Sequence, residues 1–162
     1  MVINGNKISR SDFTNAKLVG ERVRLPDHLA DQAGLTGNAR IACWLLVVKP
    51  GRYRLIKQPT GAATGSLSRI VAQIEELGSP GDLLDSTESD EEAGIRARLI
   101  PCVATPRGPG WRISVPKEAR RLAPDGEEAK FVFILTVAGY VEIWFPNILR
   151  QAVSVPISEL LS

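Results

Sequence analysis

The sequence predicts a mainly β chain with short helices, in which two tandem half-units share one β-barrel. Three observations predict it. A strand of the form R-h-x-h-P, with h apolar, occurs as Arg22-Val23-Arg24-Leu25-Pro26 and again 90 positions later as Arg112-Ile113-Ser114-Val115-Pro116. Each copy is followed by an apolar run broken by glycine, Ile41 to Val48 before Gly51 and Phe131 to Ala138 before Gly139. Each run is answered by an alternating return strand, Tyr53-Arg54-Leu55-Ile56 and Val141-Glu142-Ile143-Trp144, with a proline soon after at Pro59 and Pro146.

Alternation with period two marks a strand with one buried face, so Val23, Leu25, Ile113 and Val115 turn inward while Arg22, Arg24, Arg112 and Ser114 face solvent. The proline ending each strand suits a first helical turn, since its φ is already helical and its missing N–H would go unused there. Short helices are therefore expected at Asp27 to Ala33, with Gly34 beyond its end, and at Lys117 to Leu122, ahead of the turn sequence Pro124-Asp125-Gly126. Helices of two turns are unstable alone in water and must pack against the sheet. A unit of strand, helix and hairpin has too little interior to cover its own hairpin, so two units must share a core. A closed barrel of interlocked hairpins does this and leaves no open strand edge.

Charge divides the chain into three segments. Residues 1–60 hold ten Lys/Arg against four Asp/Glu, residues 61–94 one against eight, and residues 95–162 nine against six. The expected organisation is a first half-unit at 1–60, a connector with an amphipathic helix and an acidic linker at 61–94, and a second half-unit at 95–162. In the connector, Leu67, Ile70, Val71, Ile74 and Leu77 recur at helical spacing after Ser66, and Asp82 to Gly94 is acidic and poor in apolar residues. The helix reads as a lid on the barrel in preference to a partner-binding element. Ile95 to Ala104 alternates and is expected to be one further strand, and Pro156 to Leu161 has the makings of a single helical turn.

Two basic blocks joined by an acidic one suit a polyanionic partner. Lys17, Arg22, Arg24 and Arg40 from the first copy, with Arg107, Arg112, Lys117, Arg120 and Arg121 from the second, are the candidate DNA-binding residues. If the copies pair about a pseudo-twofold axis, the two sets merge into one surface. No nucleophile and base, metal cluster or paired carboxylates are legible, so an enzyme is not expected. His28 sits in a helix explained by packing, and the acidic cluster from Asp82 to Glu92 lacks calcium-loop spacing. Two cysteines, Cys43 and Cys102, are too few for an ordinary zinc site, so neither metal nor cofactor is expected. Trp44 and Trp144 read as packing residues and Trp111 is the open case. The N-terminus lacks a signal pattern and no apolar run is long enough to cross a membrane, which predicts a cytoplasmic protein without membrane partners.

These residues resemble the swapped-hairpin AbrB superfamily, and the tandem arrangement is most similar to its MraZ-type members. Residues 22–59 carry the likeness moderately, and 111–146, with R-I-S-V-P-K-E-A-R and F-V-F-I-L-T-V-A-G-Y-V-E-I-W-F-P, carry it well. The resemblance implies a transcription regulator that binds double-stranded DNA as a homo-oligomer, associated with the nucleoid. It also implies a DNA-gripping Asp-x-x-x-Arg motif, of which Arg22 and Arg112 keep the arginine while Leu18 and Gly108 replace the aspartate. The rival expectations are a protein-interaction module, such as an antitoxin or a small subunit holding a protein partner through the acidic connector, and an oligomeric barrel that binds no DNA.

The connector yields a first test. Loop length enters closure entropy only logarithmically, so removal of residues 85–92 is expected to leave the thermal midpoint nearly unchanged. Complete loss of soluble protein would assign the segment a structural role, and loss of a co-purifying partner would favour the interaction module.

Overall fold

The computed structural model describes residues 2–3, 6–7, 13–59, 64–77 and 98–152. The acidic linker at 82–94 and the expected C-terminal turn at 156–161 lie outside the described residues. The strands are β1 (Val2–Ile3), β2 (Asn6–Lys7), β3 (Phe13–Lys17), β4 (Arg22–Leu25), β5 (Ile41–Lys49), β6 (Arg52–Lys57), β7 (Leu99–Pro106), β8 (Trp111–Ser114), β9 (Phe131–Val137) and β10 (Tyr140–Trp144). The helices are α1 (Asp27–Gln32), α2 (Thr64–Glu76), α3 (Lys117–Leu122) and α4 (Pro146–Ala152).

Apart from the β1–β2 ladder, all strands join one eight-stranded antiparallel sheet in the order β3-β9-β10-β6-β5-β7-β8-β4. Its two end strands meet at a bridge between Val19 and Arg22, which makes the sheet a nearly closed barrel. Each hairpin crosses to the other copy. The β5–β6 hairpin of the first pairs through β5 with β7 of the second, and the β9–β10 hairpin pairs through β9 with β3. Where copies meet like to like, the register is symmetric: β4 runs against β8 with Val23 opposite Ile113, and β6 against β10 with Arg54 opposite Glu142. A pseudo-twofold axis passes through both pairs.

Alternation sends Val23, Leu25, Cys43, Leu45, Tyr53, Leu55, Ile113, Val132, Ile134, Val141 and Ile143 into the barrel, where they form one apolar cluster with Leu29 and Ala30 of α1 and Ala119 of α3. The hairpins are apolar on their outer faces too, and a helix covers each. Ile70 and Ile74 of α2 pack on Leu46, flanked by Trp44, Ile56 and Leu99, so the connector helix is a lid. Burying each isoleucine contributes about 1.5–3 kcal/mol, enough to hold a helix that would not persist alone. On the related face Ile148 and Leu149 of α4 pack against Phe133, Leu135 and Trp144. Pro146 follows the end of the second hairpin, as the sequence predicts, and also opens α4, a helix outside that expectation, whose Asn147 N–H donates to the Asp125 carboxylate at 3.1 Å. The strand β3 was likewise not anticipated, and α1 ends one residue short of Ala33.

Buried polar groups bind the halves together. On the outer face Glu142, fully buried, accepts from Arg52 Nε at 2.7 Å, Arg54 Nε at 3.1 Å and Trp144 Nε1 at 2.8 Å, and Arg54 also reaches Gln73 of α2 at 2.8 Å. Arg52 lies 4.5 Å over the Trp144 ring. Inside, the Tyr53 hydroxyl donates to the Ala119 carbonyl of α3 and accepts from the Gly51 N–H at 3.2 Å, and burial raises its pKa.

Two outcomes test this arrangement. With β3 and the β5–β6 hairpin paired to strands it lacks, a fragment of residues 1–60 should not fold as a monomer; cooperative unfolding at a concentration-independent temperature would contradict the shared barrel. Tyr53→Phe removes the link between the first hairpin and the second copy's helix and leaves two buried backbone groups short of a partner. It should cost about 1–3 kcal/mol in denaturant unfolding, and an unchanged midpoint would show the hydroxyl to be dispensable.

Candidate nucleic-acid interface

The pairing of β4 with β8 builds the surface. Their inward residues, Val23, Leu25, Trp111 and Ile113, are buried, which fixes the opposite face outward. Trp111 is thereby a core residue. Arg24 stands directly opposite Arg112, and Arg22 opposite Ser114. Three arginines thus share a patch two strands wide, on the side of the axis opposite Glu142.

Three adjoining depressions extend the patch. One of about 760 Å³ lies along the opening between β3 and β4 and is lined by Lys17, Arg22, Arg24 and Arg112, with Glu21 as its carboxylate. A second, of about 360 Å³, lies across β7 and β8 and collects Arg22, Arg40, Arg107 and Arg112 with the hydroxyls of Thr105 and Ser114. A third, of about 140 Å³, is bounded by Arg24, Arg107, Gly108, Pro109 and Arg112. Six of the nine sequence candidates therefore converge: Lys17, Arg22, Arg24, Arg40, Arg107 and Arg112. Cations this dense, facing water, concentrate positive potential on one surface.

The turn between β7 and β8 positions Arg107. Its N–H donates to the Gly110 carbonyl at 3.0 Å, and Arg24 Nη2 donates to the Pro109 carbonyl at 3.0 Å, which holds the turn against the end of β4. Gly110 has φ 104°, and a Cβ there would fall 2.8 Å from the Leu25 carbonyl oxygen, so glycine alone lets the turn lie this close.

The three cations of α3 differ from these six. Lys117 and Arg121 are exposed and line none of the three depressions. Arg120 is half-buried and donates to the carbonyls of Gly126 at 3.2 Å and Gly20 at 3.5 Å, bracing the turn after α3 against the β3–β4 turn. Spacing placed it at a helix start near the strands; only the fold reveals the carbonyls around it. Leu18, at one of the family aspartate positions, is a buried core residue, and Gly108, at the other, is in the exposed β7–β8 turn. Ser114, turned outward as alternation predicts, joins the patch without being among the candidates, and Glu21 and Thr105 join it with no signal in the sequence.

Elsewhere the described residues hold no group of three or more His, Cys, Asp or Glu side chains placed for a metal ion, and His28 is exposed on α1. Cys43 and Cys102 face each other across β5 and β7, both buried and reduced. The hydrogen bond between them favours the Cys43 thiolate and, together with burial, pushes the Cys102 thiol up. No described helix is long and apolar enough to cross a membrane. No family model matches the chain, and no curated protein matches it in sequence.

Proposed function

We propose that the chain is a DNA-binding transcription regulator of the swapped-hairpin AbrB type, not an enzyme, and that duplex DNA lies across the paired β4 and β8 strands. The observation that carries the reading is the convergence of Lys17, Arg22, Arg24, Arg40, Arg107 and Arg112, from both copies, on one exposed surface centred on the pseudo-twofold axis. Two antiparallel strands fit the width of a major groove. Arginines on such a pair can neutralise phosphates on either side or present a guanidinium fork to guanine O6 and N7. Among the described residues Glu21 is the one carboxylate lining these depressions, against six cations, so their charge gives a positive field over the patch.

The test replaces Arg22 and Arg112, the equivalent members of the two copies. The Arg22→Ala, Arg112→Ala double variant should stay folded, since exposed substitutions move stability by about 0.5 kcal/mol or less. Its affinity for DNA should fall. Loss for every sequence, with a salt slope shallower by about one per lost contact, would mark phosphate contacts; lost discrimination of about 1–3 kcal/mol per arginine would mark guanine reading. Fluorescence anisotropy across a salt series separates the two. Wild-type protein that binds no duplex at low salt would overturn the reading.

A further inference from the structure

The two copies treat the same seam differently. In the second copy β7 and β8 are zipped at Ala104–Ile113, Thr105–Arg112 and Pro106–Trp111. In the first, β3 and β4 are the two end strands of the sheet, joined at the Val19–Arg22 bridge through hydrogen bonds of 3.0 and 3.2 Å. Val19–Arg22 and Thr105–Arg112 are matching steps of the two seams. Two residues further from each turn, Lys17 and Arg24 therefore stand where the second copy has Val103 and Ser114.

That difference accounts for the opening. The Ser114 hydroxyl accepts from the Val103 N–H at 2.9 Å and donates to the Val103 carbonyl at 3.4 Å, so it fastens β7 one step beyond the ladder. Lys17 and Arg24 are both exposed cations that offer no such hydroxyl, and like charges opposite each other oppose pairing; the Arg24–Arg112 pair bears the same cost, but there ladder pairs on both sides hold the strands together. Arg24 turns instead toward the Pro109 carbonyl. The N–H groups of alternate residues point to the same strand edge. Those of Val19 and Arg22 cross the bridge, so those of Lys17 and Arg24 face the seam. The gap is the floor of the 760 Å³ depression.

We propose that a phosphate oxyanion binds between Lys17 and Arg24 and closes the β3–β4 seam, so that the barrel is completed by its ligand. An anion there replaces repulsion with two charge-assisted contacts and lets the strands approach to ladder distance. The inference rests on the DNA-binding reading for the source of the phosphate, a duplex backbone, while the seam itself is indifferent to the source.

Amide hydrogen exchange on the full chain tests it, with and without duplex DNA, and separately with inorganic phosphate, while anisotropy records DNA binding. Saturating duplex should slow exchange within residues 13–25 about tenfold or more, and far less at Ala104–Pro106, which are already laddered. Lys17→Val with Arg24→Ser installs the second copy's pair. It should protect β3 and β4 without any anion, abolish the response to DNA and weaken DNA binding; if the double variant does not fold, Lys17→Val alone should shift exchange the same way. Duplex that binds without changing exchange in this region would overturn the seam inference and leave the DNA reading standing. Protection by inorganic phosphate in a protein that binds no duplex would do the reverse. A folded variant that exchanges as fast as wild type would show that repulsion does not hold the seam open.

Discussion

Neither hairpin can complete its hydrogen bonding within its own copy, and the rest of the molecule follows from that constraint. A two-stranded ribbon with apolar side chains on both faces is unstable by itself. Here each hairpin lays its first strand against the leading strand of the other copy, β5 on β7 and β9 on β3, and the second strands close on each other. The inner apolar faces meet inside the barrel. The outer faces need separate cover, which α2 and α4 supply from the segments following the two hairpins.

Once the hairpins have crossed, the short arginine strands are left to pair across the axis, and their alternation decides what the pairing does. Val23 and Ile113 meet in the core, so the residues on either side of them are held outward. Lys17, Arg22, Arg24 and Arg112 are carried on strands and Arg107 on a turn pinned to the end of β4, so cations from distant parts of the chain are brought to one surface by the sheet itself.

Much of this was legible in the sequence because it depends on period-two patterning. The strands at 22–25 and 111–114, both hairpins and the extent of α3 follow from alternation, glycine and proline. The strand β3 escaped notice because Phe13-Thr14-Asn15-Ala16-Lys17 is short and weakly apolar, and its outward Phe13 packs against Phe133 instead of meeting water. Pro146 marks the end of the second hairpin in the sequence, but the helix it also opens is legible only once Asp125 is seen capping the next turn. For the site, alternation placed Arg22, Arg24 and Arg112 correctly, whereas the company of Arg40 and Arg107 and the withdrawal of Arg120 depend on folded turns that no local pattern encodes.

On the far side of the axis, Arg54 and Glu142 occupy corresponding positions in the two copies and face each other. An identical duplicate would set arginine against arginine there, or one buried glutamate against another without its cations, and either would be strongly unfavourable in so dry a place. The present pairing works only because the halves have diverged in complementary ways. The two halves therefore join as an intramolecular heterodimer, in which the buried glutamate of one is met by the cations of the other.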